Sequence, residues 1–523
     1  MKKNKTPKVI VIGLDGAGFE LIDPWLKQGL LPNIQKIISK GIRGNLQVCL
    51  PPVTCPDWKC YSTGKNPAKL GLFWWRQISI KDKKEFTAHD RFNQQKEIWD
   101  YLSAAGKKVA VINMPTTYPP KKVNGIFVSG GAGVLGKEYT YPLELRKKLE
   151  KNYNYRLGAE KVSILSYTPE EITKDCLDVI DKKFAFFKDV LKNGEFDFIN
   201  FSIFHINTFH HVFWDAEPTK IAWLRIDSHI GDVLNLIKQK EDNYYIFFMS
   251  DHGSNEIKEV FNISTWLQKE GYFKLKQKAM LGLMKALKLD LHSLLKITSK
   301  VGLSKHNILK VLPKPFIERI AEKLPMEHGE VKSRSSIIDW DNSLAIAVGQ
   351  GPIYINANKS SEKYVQIKKE LKEKLMNLRT PENRSIAVNI YEKEELYSGP
   401  YLDEAPDLII DQAKGIHIKG NIWLNNKIFE KPQHWKGENK KLGLFIAYGP
   451  EIQEGKAISA VQILDLAPTI LHIFGLAVPS DMDGTALVSL FNKDEEIAQK
   501  SVKIHKIINE KSDIKSFTDK IRI

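Results

Sequence analysis

The stretch VIVIGLDGAG, residues 9–18, is an apolar, β-branched run that stops at an aspartate set among glycines. The run is too short to be a helix, and the helically spaced FELIDPWLKQGLLPNIQKIISKG of residues 19–41 follows it. Together they read as a buried strand that feeds a helix through a tight loop. The same pattern returns in KKVAVIN (107–113), FDFINFSI (196–203) and YYIFFMS (244–250), with longer amphipathic stretches between. This alternation predicts an α/β fold: a doubly wound, mostly parallel sheet with helices on both faces. In such a sheet the C-terminal ends of the strands share one edge, so residues far apart in sequence meet there.

Residues with metal-type side chains stand at those ends. Asp15 follows VIVIGL, Asn207 and His211 follow FINFSI, Asp251 and His252 follow YYIFFMS, and His434 precedes LGLFIAYGP. Oxygen and imidazole donors in combination suit zinc or manganese better than calcium or magnesium. Asn207 and His211 are four apart and share a face on a helical turn. Thr54 lies in the proline-bounded LPPVTCPDW (50–58), where a threonine ahead of a helix reads by itself as an N-cap. Beside a cation, a hydroxyl at a helix N-terminus has its alkoxide stabilised by both, which activates a weak nucleophile. Jointly these residues predict a two-cation site beside one hydroxyl, suited to hydrolysing phosphate or sulfate esters. Gly13, Gly16 and Gly18 do not form the GxGxxG dinucleotide fingerprint, and an anionic Asp15 would repel a pyrophosphate. His205 and His210 read as neighbours of the Asn207 turn, Asp215 shares the face of His211, and His417 and His472 read as scaffold.

The totals of 523 residues, 42% hydrophobic and 27% charged, are those of an ordinary globular protein large enough for one α/β domain with insertions or for two domains. No apolar stretch approaches the roughly 18 residues that span a bilayer, and the run from Val9 is too short for a signal peptide. The expected location is cytoplasmic. Cys49, Cys55, Cys60 and Cys176 match neither a zinc knuckle nor a CxxC pair and read as free thiols, with a reactive Cys55 beside Thr54 as the alternative. The net charge of +16 is concentrated: between Lys274 and Lys323 twelve Lys or Arg face Asp290, Glu318 and Glu322. Residues 274–335 are expected to be a basic helical insertion in a core made of 1–273 and 336–490, with 491–523 as a peripheral tail. The insertion reads first as leucines packed on the body with lysines in water. The alternative is a basic amphipathic surface, 274–323, that docks on an anionic membrane and makes the protein peripheral to it. No aromatic-interleaved platform for specific nucleic-acid binding is present, and the oligomeric state is not written in the sequence.

The segments VIVIGLDGAG, PPVTCPDWKCYSTGKNPAKLG, INTFHHVFW, MSDHGSNEIKEVFNISTWLQKEGY, EAPDLII, QHWKGENKKLGLFIAYGP and ILDLAPTILHIFGLAVPSDMDG run from residue 8 to about 490 in the order of one family. The chain resembles the alkaline phosphatase superfamily, in its type I phosphodiesterase/nucleotide pyrophosphatase branch and the associated phosphohydrolases and phosphomutases. The resemblance implies two divalent cations, zinc or manganese. Asp15, Thr54, Asp251 and His252 would hold one, and Asn207, His211 and His434 the other. It further implies that Thr54 is the nucleophile in hydrolysis of a small phosphodiester or phosphomonoester, through a phospho-threonine. A phosphomutase, or a non-catalytic membrane- or polyanion-binding relative with a weakened second metal site, is the alternative. Asn207 departs from the family's aspartate, which removes one negative charge from the second site. Leu70 stands where a histidine commonly precedes the glycine. Phe73, Trp74 and Trp75 after it are expected either to line the substrate entrance or to pack their loop onto the sheet. A sulfatase is disfavoured, because no suitable arginine follows Cys55-Pro56.

Overall fold

The computed structural model describes residues 7–131, 134, 136–240, 243–276, 335, 337–420 and 427–506. Its centre is a nine-stranded sheet. The strand order is Lys456–Gln462, Ile42–Gln47, Leu442–Tyr448, Tyr244–Met249, Lys8–Leu14, Phe198–Ile203, Val109–Met114, Gly125–Ser129 and Thr140–Tyr141. Lys8–Leu14 is the middle strand, parallel to both neighbours, with Gly13 opposite Met249 on one side and Ser202 on the other. The expected doubly wound α/β fold is therefore present. Two strands run against the rest: the edge strand Thr140–Tyr141 and, inside the sheet, Leu442–Tyr448.

Side-chain alternation along the central strand sorts the two layers. Ile10, Ile12 and Leu14 join one buried cluster, beneath the long helices Pro169–Asn193 and Glu217–Lys240. Val9 and Val11 join the other, with Trp58 and Tyr61 of the helix Thr54–Thr63 and with the helix Leu466–Ile473. The Pro169 helix begins with a capping box between Thr168 and Glu171 and a proline at its first position, which satisfies its first amides and presets φ. The helix Thr54–Thr63 is buried at every residue, so its sequence carries little amphipathic signal.

A second, smaller sheet follows, in the order Ala345–Ala347, Pro352–Ile355, Leu408–Gln412 and Ala387–Glu392, antiparallel throughout and covered by the helix Glu362–Asn377. NSLAIAVGQGPIYIN is its first hairpin. This unit has its own apolar core, so part of the region read as α/β core is a separate layer. The start of the tail is also tied down, since Ile504–His505 pairs with Val478–Pro479. The expected basic insertion lies outside the described residues from 277 to 334, and with it the alternative reading of 274–323 as a membrane-docking surface. Among the described residues no helix is long and apolar enough to cross a membrane.

One core residue has a measurable pH signature. Lys183 on the Pro169 helix is buried and donates to Leu157 O at 3.0 Å, and burial pushes its ammonium down to about 7. In the unfolded chain the group titrates near ~10.4. Between those values the unfolded state holds the extra proton, so this residue's cost is complete below pH 7 and is relieved as pH rises. Lys183→Met is therefore expected to raise the melting temperature relative to wild type by more at about pH 6 than at about pH 9.5. Paired thermal melts in the two buffers check it.

Candidate active site

The crevice is built where the Lys8–Leu14 and Tyr244–Met249 strands end. Gly16, at φ +70°, turns the chain so tightly that a Cβ would stand 2.3 Å from Asn207 Oδ1 and 3.1 Å from Ser254 Oγ. Only glycine fits. Its N–H donates to Asp251 Oδ1 at 3.2 Å, the Ala17 N–H donates to Ser250 Oγ at 2.8 Å, and Ser254 Oγ donates to Gly16 O at 2.7 Å. Two loops distant in sequence are thus clasped, and they hold Asp15, Asp251 and His252 with no solvent exposure.

The donor atoms of these three residues all lie within 4.8 Å of one another. His252 Nε2 is 3.6 Å from Asp15 Oδ1 and 3.5 Å from Asp251 Oδ2. His252 Nδ1 donates to Gly253 O at 3.0 Å, which leaves Nε2 as the unprotonated nitrogen facing the carboxylates. Trp58 Nε1 donates to Asp15 Oδ2 at 3.2 Å. Asp15 Oδ1, Asp251 Oδ2 and Asn207 Oδ1 are buried without a protein donor. Burial, and then the charge of Asp251, push the Asp15 carboxyl well above the usual carboxylate range. Two buried carboxylates and an imidazole lone pair around one point are unfavourable for protein alone and favourable around a dication. The donor set fits the implied metal.

Thr54 opens its helix beside this cluster, its Oγ1 3.5 Å from His252 Nε2. It stands at the first helical position, one residue past the cap. Asp57 braces the preceding loop by accepting from Val53 N at 2.9 Å and Cys49 N at 3.1 Å.

The remaining predicted ligands come from the helix that follows the Phe198–Ile203 strand and from the loop ahead of Gly437–Lys440. Asn207 and His211 lie on the helix His205–Phe213. Asn207 lies against the Gly16 turn beside Asp15. His211 Nδ1 donates to Gly437 O at 2.9 Å, again leaving Nε2 unprotonated, and burial pushes its pKa down to about 4. His434 is half-buried in the loop after Phe429–Glu430. The next residue, Trp435, lies flat on the His211 ring with centroids 4.0 Å apart, and Lys436 N donates to His211 O at 2.6 Å. This loop is thereby fastened to the end of the Asn207 helix.

Other histidines and carboxylates are engaged elsewhere. His205 Nε2 accepts from Ala159 N and His210 Nε2 from Trp223 Nε1, each at 3.0 Å. Asp215, exposed beyond the helix, is not placed to replace Asn207. His472 Nε2 donates to Ile497 O at 3.0 Å, and His417 contacts the buried Glu438. Two alternatives that the sequence left open are decided. Cys55 is buried and burial pushes its thiol up, so it is no reactive thiolate. The Phe73–Trp75 run packs its loop: Phe73 is buried against Tyr397 at 5.5 Å, and Trp74 covers Gly349, where a Cβ would meet its ring at 1.9 Å.

Asn439 was not legible in the sequence. It pairs with Ser254 across the ribbon of Gly253–Glu256 and Gly437–Lys440, so both side chains lie on one face. Its Nδ2 donates to Pro52 O at 3.2 Å, two residues before Thr54, and its Oδ1 is buried without a donor. Only the cross-strand register reveals it.

The family model for type I phosphodiesterase/nucleotide pyrophosphatase matches residues 9–439. The chain belongs to this family. It is thus a phosphoric ester hydrolase of the phosphodiesterase/nucleotide pyrophosphatase kind, in a family characterised by divalent-metal dependence. Solved structures share the fold at low identity. Murine ectonucleotide pyrophosphatase/phosphodiesterase 5 aligns with TM-score 0.51 at 12% identity, covering 93% of this chain and 100% of that one. The human counterpart aligns with TM-score 0.50 at 12% identity and the same coverage. An inactive threonine-to-alanine form of the murine protein, in complex with AMP, gives TM-score 0.50 at 13% identity, again covering 93% and 100%. No curated protein sequence matches the chain.

Proposed function

We propose that this phosphodiesterase-family chain cleaves phosphodiester or phosphomonoester bonds through a phospho-threonine on Thr54. Asp15, Thr54, Asp251 and His252 would hold one divalent cation, zinc or manganese, and Asn207, His211 and His434 a second. The observation that carries this reading is the approach of the Thr54 hydroxyl to His252 Nε2 at 3.5 Å, beside two buried carboxylates whose free oxygens face no protein donor. When bound, such cations stabilise an alkoxide and a leaving-group oxygen. The chain itself positions the nucleophile. The helix start directs its dipole toward Thr54 Oγ1, and Asp57 holds the approach loop still. Attack forms the Oγ1–phosphorus bond as the ester oxygen leaves in line, and water then cleaves the phospho-threonine.

The test is hydrolysis of p-nitrophenyl phosphate, its bis ester and nucleotide esters by zinc- or manganese-loaded protein, with acid quenching to trap phosphate on the peptide that carries Thr54. Nucleotide esters are included because one murine neighbour binds AMP. Absence of turnover on every ester rejects the reading. A requirement for a phosphorylated acceptor instead identifies a mutase.

Asn207 gives the reading a sharper check. A carboxamide keeps an oxygen donor and loses a charge. Asn207→Asp is expected to raise occupancy of the second site, measured as metal per chain after dialysis, with a gain in activity of roughly tenfold or less, about 1.4 kcal/mol. A far larger gain in both identifies the native second site as degraded.

A further inference from the structure

A second set of donor atoms stands outside the crevice, at the other end of the loop that leads into Thr54. The Cys49 and Cys60 thiols and the Asp57 carboxylate converge within 4.8 Å of one another. The Asp57 oxygens are each committed, Oδ1 to Cys49 N and Oδ2 to Val53 N. The carboxylate therefore serves as a clasp for the loop, and what remains is a pair of adjacent thiols whose sulfurs lie within 4.8 Å of each other. Cys49 lies just past the Ile42–Gln47 strand and is partly exposed, whereas Cys60 is fully buried in the Thr54–Thr63 helix.

We propose that Cys49 and Cys60 are an oxidative modification site, at which a hydroperoxide converts the dithiol into a reversible disulfide that closes a covalent ring around Thr54. The accessible Cys49 sulfur attacks the peroxide oxygen, giving a sulfenic acid and, from hydrogen peroxide, one water. Cys60 sulfur then attacks the Cys49 sulfur, forming the S–S bond and releasing a second water. Two thiols are oxidised by two electrons and one peroxide bond is reduced. A dithiol reductant reverses the step. Burial pushes the Cys60 thiol upward, which suits it to the second, resolving role rather than the first.

The ring includes every residue from Leu50 to Lys59, Thr54 among them. Bonding requires the sulfurs to close to about 2.05 Å. That contraction pulls on a loop braced by Asp57, and a shift of ~1 Å at a reacting group costs on the order of 10²-fold in rate. This consequence for activity rests on Thr54 being the nucleophile. The cross-link itself does not.

The full-length protein is treated with hydrogen peroxide while native, its free thiols are alkylated, and it is cut after Lys and Arg. Cleavage after Arg43, Lys59 and Lys65 places Cys49 and Cys60 on different peptides. The expected result is one linked pair joined through Cys49, with ester hydrolysis falling at least about tenfold in step with it and returning with dithiothreitol. Cys49→Ser and Cys60→Ser are expected to keep their activity through the same treatment. No link in wild type, a link through Cys55, or a metal ion retained by the two thiols in the reduced protein overturns the proposal, and none of these readouts depends on a variant folding. A Cys49–Cys60 link with unchanged hydrolysis overturns the coupling to Thr54. A link in a protein that hydrolyses no ester fails the functional reading while the modification stands.

Discussion

Thr54→Ala is expected to lower the rate of ester hydrolysis by about 10³-fold or more while leaving the fold near wild type and the Asp15, Asp251 and His252 donors in place. The reason is local. The side chain at position 54 supplies one hydroxyl, 3.5 Å from His252 Nε2, and its removal takes away the attacking atom without disturbing the clasp among Gly16, Ser250, Asp251 and Ser254. The helix keeps its start, because Asp57 and not Thr54 accepts from the loop amides. Thr54→Ser keeps the hydroxyl and loses only a methyl group, so it is expected to stay within about tenfold of wild type, and its trapped intermediate should be a phosphoserine. Steady-state kinetics of the three proteins, with metal analysis of each, measure the effect. An alanine variant as active as wild type removes Thr54 from the chemistry.

Asp251→Asn is expected to separate stability from function. In the metal-free protein Asp15 and Asp251 are buried together, and the Asp251 charge adds to burial in disfavouring ionisation of Asp15. An asparagine retains the oxygen that accepts from Gly16 N and removes the repulsion. The metal-free variant is therefore expected to be more stable than metal-free wild type by on the order of 1 kcal/mol. With zinc or manganese added the order reverses, because wild type gains binding free energy that the variant has lost. Hydrolysis should fall by at least ~10²-fold. Melting temperatures of both proteins with and without added metal show the crossover. If metal raises both equally, Asp251 is not a ligand. A variant less stable without metal denies the repulsion.

How much of this was legible in one sequence depended on how local each signal was. A β-branched run that halts at Asp15, and another that halts before Asp251-His252, carry their own evidence for strand and loop, and a parallel sheet then obliges both to face the same edge. Thr54 carried a weaker signal, a proline-bounded approach to a helix that by itself reads as an N-cap, and the strand Ile42–Gln47 that brings it to the same edge emerged only in the fold. The smaller antiparallel sheet was only partly legible. Its hairpin around Gly349 and Gly351 could be read, but short apolar strands do not say which sheet they join. The role of Phe73–Trp75 was also undecided, because an aromatic run has the same composition whether it lines an entrance or seals a loop. Trp74 lying over Gly349 settled that.

The sequence by itself determined the alternating architecture and the residues that end its parallel strands, because periodicity and turn chemistry act over a few residues. Only the tertiary structure decided how the segment from His434 to Asn439 reaches the same edge. Leu442–Tyr448 runs antiparallel between Ile42–Gln47 and Tyr244–Met249, so its beginning, rather than its end, lies beside the ends of its neighbours. Strand direction is set by pairing between residues some two hundred to four hundred positions apart, and no local pattern encodes it. That reversal brings Trp435 onto His211 and the Asn439 carboxamide to Pro52, just ahead of Thr54.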